Sequence, residues 1–235
     1  NNLLFEPPQI LPILGGISNN RTLCKLEMND MIFDEPCCLQ LSNAIAGCVS
    51  LHQIIIKNVK MGPKGGALVC INIERMISQI THLDLSGSKL GFSALEPVFR
   101  SLTYSSCQLN TLRLADNEMD YEGGMSLCMA LKLNHTITDL DISKNLLTSS
   151  VAIELGDLSK QYTVNGKIIT PLKIKTLRIN DNPDIGPKGT KHLIISYSNE
   201  WTTHLEMRNC SASESFAHEF SKSLKDIAVA WKYVD

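Results

Sequence analysis

Two near-identical hexapeptides, MGPKGG at 61–66 and IGPKGT at 185–190, are the first stretches whose residue types suggest chemistry. Backbone amides of a glycine-rich turn at the start of a helix can cradle a phosphate. The spacing argues against it here. A Walker loop needs Gly, four residues, then Gly-Lys-Ser/Thr, and neither copy has that order. The eight cysteines (24, 37, 38, 48, 70, 107, 128 and 210) contain no CxxC pair and no zinc-type spacing with histidine. Several lie in apolar stretches, where cysteine acts as a small buried hydrophobe. They read as free thiols of a reducing, intracellular compartment. His52, His82 and His204 have no carboxylate at a recognisable metal spacing. Nothing nominates a Ser-His-Asp or Cys-His pair. The expectation is a non-enzyme with no cofactor, no metal and no small-molecule substrate.

The bulk composition narrows the classes further. The 235 residues are 43% hydrophobic and 20% charged, with a net charge of −2. That near-neutral balance argues against a nucleic-acid partner held by charge. No apolar run approaches the roughly 20 residues of a membrane helix, so membrane insertion is not expected.

The two hexapeptides make sense as one turn used twice in a repeating unit. In LNTLRLADNEM, from Leu109, apolar residues stand at positions 1, 4, 6 and 11 and an asparagine at position 9. ITDLDISKNLL from Ile137 repeats this, and ITHLDLSGSKL from Ile80 does so with Ser88 in the asparagine position. Weaker copies begin at Leu23, Leu51, Ile174 and Thr202, the last with Cys210 at position 9. The starts near 23, 51, 80, 109, 137, 174 and 202 give steps of 28, 29, 29, 28, 37 and 28 residues. Gly62 and Gly186 then follow the same strand in two repeats, where the chain turns into a helix.

This LxxLxLxxNxL pattern with a 28–29-residue period resembles a leucine-rich repeat of the ribonuclease-inhibitor type. The resemblance covers nearly the whole chain. It implies an α/β solenoid, a horseshoe arc with parallel strands on the concave face and helices on the convex face. Positions 4 and 6 point inward by the two-residue alternation of a strand, as in Leu112 with Leu114 and Leu140 with Ile142. A convex helix is expected in GGMSLCMALKLN (123–134), with Met125, Leu127, Ala130 and Leu131 facing inward. Asn117, Asn145 and Asn182 are expected to bond backbone groups where the chain leaves the strand.

The whole chain, 1–235, reads as one repeat domain. Residues 1–22 carry the convex helix of an incomplete N-terminal repeat, so the chain is expected to begin inside a larger array or after a special cap. Asn20-Arg21-Thr22 and Asn134-His135-Thr136 look like sequons, but with no secretory context they are taken as coincidence. The long step contains a hairpin-like insertion, 159–172, signalled by Asn165-Gly166. Residues 211–235 place Phe216, Phe220, Leu224, Ile227 and Trp231 at helical spacing and read as a C-terminal capping helix.

One column could carry function. Position 5 reads Glu27, Ile55, Asp84, Arg113, Asp141, Arg178, Glu206. Parallel neighbours would set these residues about 4.8 Å apart on the concave face. From Asp84 onward the charges alternate in sign, which predicts a ladder that largely neutralises itself. Ile55, Asp84, Arg113, Asp141, Arg178 and Glu206 are the candidate partner contacts, with Tyr162 and Val164 as anchors on the insertion. The expected function is a non-catalytic protein-interaction module or scaffold within a larger protein or assembly, with another protein as partner. A GTPase-activating protein or enzyme inhibitor of the same repeat type is the alternative.

Overall fold

The computed structural model describes residues 7–160, 162–164, 167–169, 171–198 and 201–211. Helix α1 (Pro7–Ile17) precedes β1 (Lys25–Asn29), α2 (Glu35–Gly47), β2 (Gln53–Lys57), α3 (Gly62–Arg75), β3 (His82–Asp84), α4 (Gly91–Leu102) and β4 (Thr111–Arg113). Next come α5 (Tyr121–Leu131), β5 (Asp139–Asp141), α6 (Ser149–Asp157), β6 (Tyr162–Val164) and β7 (Lys167–Ile169). The described chain closes with β8 (Thr176–Arg178), a short 3-10 helix (Pro183–Ile185), α7 (Gly186–Tyr197) and β9 (His204–Glu206). The proposed capping segment lies outside the described residues apart from Ser211.

Seven strands form one open parallel sheet in the order β1-β2-β3-β4-β5-β8-β9. Each strand starts two residues into its repeat, and the sheet follows chain order except for the inserted pair. Strands β6 and β7 form a separate antiparallel hairpin, with Tyr162 opposite Ile169 and Val164 opposite Lys167. Successive helices pack side by side along the other layer. Packed helices need about 8–10 Å each and strands only about 4.8 Å, so the stack bends into an arc with the strands inside.

The central strands are three residues long because only their middle residue must face the core. Leu83, Leu112, Leu140 and Leu177 occupy that place and are fully buried. Leu205, the equivalent in the last strand, is half-buried, because no further described strand follows it. On α5, Leu127, Ala130 and Leu131 face inward as expected, but Met125 is half-buried and Cys128 fills the core position. The helix ends at Leu131, short of the expected 134.

Glycines explain the paired hexapeptides. Gly62 and Gly186 open α3 and α7 with φ of +64° and +61°, a region that costs residues with a Cβ. Three residues on, a Cβ at Gly65 would lie 2.5 Å from Cys38 Sγ, and one at Gly189 would lie 2.8 Å from Ile185 Cγ2. The hexapeptide is thus a strand-to-helix turn followed by a close helix contact.

Buried carboxamides join the repeats. Asn145 Nδ2 donates to Leu114 O of the preceding repeat and to Ile142 O of its own, both at 3.0 Å. Its Oδ1 accepts from the backbone amides of Asn117 (3.1 Å) and Met119 (2.9 Å). Asn117 donates to Leu85 O at 2.9 Å and accepts from Leu90 N at 3.2 Å. Asn182 donates to Ile142 O and accepts from Leu147 N. Ser88 takes this place in its repeat by donating to Ile56 O, and Cys210 does so through Sγ to Ile179 O. The residue just before the carboxamide is forced to positive φ, as at Asp116 (56°), Lys144 (54°) and Asp181 (56°).

The sequon-like triplets have a structural role of their own. Asn134 is buried, and its Oδ1 accepts from the amides of Thr136 and Ile137. Asn20 Oδ1 does the same for Thr22 and Leu23. Both triplets turn the chain from helix back into strand.

Two stability measurements follow. Leu112→Ala empties a fully buried site and should cost about 2–5 kcal/mol in denaturant unfolding. Asn145→Ala leaves two amides and a carbonyl of the neighbouring repeat without partners, and should cost at least about 2 kcal/mol. An unchanged midpoint in either variant would contradict the corresponding burial or bonding.

Candidate partner-binding face on the concave sheet

Parallel register puts Glu27, Ile55, Asp84, Arg113, Asp141, Arg178 and Glu206 side by side in one row. Their surroundings differ. Ile55 is half-buried on the open face. Asp84, expected among the partner contacts, is 2% exposed and closed to a partner. Its Oδ1 accepts the Ser86 amide at 3.0 Å, and Lys57 Nζ lies 4.0 Å from its Oδ2. Asp141 folds back in the same way onto the Ser143 amide, at 3.1 Å.

The expected neutralisation straight along the row is therefore only partly what forms. A short aspartate reaches the amide two residues ahead more readily than the next strand, so Asp84 and Asp141 bond locally. Asp139, two residues before Asp141, is the missing partner. It stands 3.7 Å from Arg113 Nη2 and accepts from Arg178 Nη1 at 3.1 Å. Arg178 Nε also donates to Glu206 at 3.1 Å, the one row neighbour with which it pairs. Asn180 and His204 add bonds of 2.9 and 2.6 Å to Glu206. Half-exposed pairs of this kind are worth about 0–1 kcal/mol each, so they orient side chains more than they stabilise the fold.

Arg113 differs from Arg178. Its link to Asp139 is too long for a hydrogen bond, and its Nε is buried with no partner. His82, one strand away, has its pKa lowered first by burial and then by the Arg113 charge, against the pull of Asp84 and Asp139. Glu206 is also pushed upward by burial, but hydrogen bonds from Asn180 and His204 and the Arg178 charge outweigh this and lower it.

Tyr162 and Val164 belong to β6, across the hairpin from β7. Their side chains lie outside the described residues. Seven cysteines are buried and Cys24 is exposed, and all eight are free. Burial raises Cys70 and Cys128 to about 12, so these thiols stay protonated. Among the described residues no group of three or more His, Cys, Asp or Glu could hold a metal ion, and no helix is long and apolar enough to cross a membrane.

Comparison with known proteins agrees with this geometry. The family model described as "Leucine Rich repeat" matches residues 105–128. Over 112 residues the chain is 30% identical to ribonuclease inhibitor of Sus scrofa, covering 46% of this chain and 24% of that protein. It is 26% identical over 110 residues to NACHT, LRR and PYD domains-containing protein 5 of Mus musculus, covering 47% of this chain and 9% of the relative. The matches thus span less than a quarter of each relative's length. Among solved structures, the tropomodulin C-terminal domain of Caenorhabditis elegans superposes with a TM-score of 0.51 at 14% identity, covering 68% of this chain and 91% of that one. A leiomodin-1 structure titled actin-binding site 2 gives 0.50 at 14% identity, over 66% and 85% of the two chains. The parallel sheet, the carboxamide ladder and these likenesses give the chain a leucine-rich-repeat solenoid fold. Its repeats are similar to those of ribonuclease inhibitor and of the NACHT, LRR and PYD domains-containing proteins.

The coupling of His82 to Arg113 is measurable. Arg113→Gln removes a neighbouring cation that disfavours imidazolium, so the His82 pKa should rise while burial still holds it below its ordinary value. A proton NMR titration of the His82 ring reads this directly. An unchanged or lower value would contradict the described arrangement.

Proposed function

We propose that the chain is a non-catalytic protein-interaction module within a larger protein or assembly, and that its concave sheet contacts the partner. The observation that carries this reading is the fixed row of side chains across seven parallel strands, set in register by buried carboxamides. A rigid row of this kind offers a partner many aligned contacts at little cost in conformational entropy. Ile55, Arg113, Asp141, Arg178 and Glu206 are the proposed contacts. Asp84 supports the row from within rather than touching the partner. The hairpin residues Tyr162 and Val164 are a second proposed contact.

The described chemistry fits a binding surface better than an active site. Burial holds the Cys70 and Cys128 thiols protonated, and His82, one strand from Arg113, is disfavoured as a cation. Eight free cysteines support an intracellular, reducing setting. A second reading, inhibition of an enzyme, draws support from the likeness to ribonuclease inhibitor. It uses the same face and differs only in the partner's identity.

Affinity capture tests the proposal. The intact chain serves as one bait, and the Arg113→Glu, Arg178→Glu double variant as the other, both checked for native melting. The expected result is a protein enriched by the first bait and reduced at least tenfold with the second. Equal recovery by both would move the interface to the hairpin or the helical face, and enrichment of none would count against the module itself.

A further inference from the structure

The hydrogen-bonding groups on the concave face are unevenly used. The carboxylates are largely occupied: Asp84 is shut inside, Asp139 lies between two arginines, and Glu206 accepts from Arg178, Asn180 and His204. Two cations, Arg113 on the central strand β4 and Lys57 on β2, are not. Arg113 stands 3.7 Å from Asp139, and Lys57 stands 4.0 Å from Asp84 with its side chain 45% exposed. Both separations exceed hydrogen-bond length. Guanidinium offers five donors in a planar fork that matches a carboxylate.

Ile55 supplies the second element. It shares the row with Arg113 and is two strands away, with Asp84 between them. Two strand spacings amount to about 9.6 Å. An extended peptide in the polyproline II conformation advances about 3.1 Å per residue and turns once every three residues, so side chains three positions apart face the same side. A peptide laid across the strands therefore brings residues about three positions apart over Ile55 and Arg113.

We propose that the concave face between β2 and β4 receives an extended segment of a partner protein, in which a carboxylate on Arg113 and an apolar side chain on Ile55 stand about three residues apart. This rests on the interaction-module reading and names the chemistry of its partner. Lys57, two residues after Ile55 on β2, is placed to receive a second acidic residue near the apolar one. The acidic group fits Arg113 because its bond to Asp139 is incomplete. Arg178, held at 3.1 Å by both Asp139 and Glu206, would have to break existing bonds first.

A random peptide library displayed on phage, selected against the intact 235-residue chain, tests this. The expected winners carry Asp or Glu about three positions from an aliphatic or aromatic residue. Their affinity should fall at least tenfold with Arg113→Gln and at least fivefold with Ile55→Ser. Arg75→Gln, on the helical face, should change it by less than twofold. Because the Arg113 side chain makes no hydrogen bond among the described residues, the glutamine variant should melt with the parent. If it does not, Arg113→Lys, which keeps the charge and loses the fork, should weaken binding by an intermediate factor. Winners without an acidic residue, no winners, or affinities indifferent to Arg113 would overturn the acid-anchor proposal. Peptides that bind indifferently to Arg113 would still leave the interaction module standing. The capture experiment judges that reading separately.

Discussion

A solenoid of this kind must satisfy the backbone where each strand bends toward its helix. The bend breaks the ladder and leaves amides and carbonyls buried, where an unpaired group costs about 1–3 kcal/mol. In three consecutive repeats one carboxamide, Asn117, Asn145 or Asn182, answers this, because asparagine is both a double donor and an acceptor. Asn145 reaches carbonyls in two consecutive repeats while receiving amides from the one before. The same bonds that satisfy the bend also hold neighbouring repeats in register. The weaker substitutes, Ser88 and Cys210, mark where fewer bonds are made: each donates to one carbonyl of the previous repeat.

Register is what turns a stack into a surface. Because Leu83, Leu112, Leu140 and Leu177 all point into the core, the residue after each must point to the concave face. The row from Glu27 to Glu206 is thus a by-product of burying leucines. Apart from buried Asp84, the identities within the row carry little packing demand, and they are where a partner's chemistry can be written. Glycines act on the opposite layer. Gly65 and Gly189 let helices approach where any Cβ would collide.

Much of this was legible in the sequence. The period, the strand positions, the row and the asparagine places all follow from apolar spacing, since a buried position tolerates few residue types. The side-chain pairings within the row were not legible. Alternating signs at one position suggested pairing along it, but Asp84 and Asp141 turn to amides two residues ahead. The true bridge, Asp139, sits on the same face two residues before Asp141, and a scan of one column could not find it. The burial of Asp84 was also hidden, because strand alternation says which face a residue takes and not how its neighbours cover it. Asn20 and Asn134 carried a signal that was readable: the same Asn-x-Thr recurs just before two strands, which is a turn's spacing.

The carboxamide ladder is most directly tested by side-chain hydrogen exchange. After transfer into heavy water, NMR should find the Asn117, Asn145 and Asn182 side-chain amide protons persisting alongside the core backbone amides, while those of exposed Asn110 vanish at once. Increasing denaturant should release the three together with the core. Exchange of all three as fast as Asn110, in a chain that is otherwise folded, would contradict the claim that these groups join one repeat to the next.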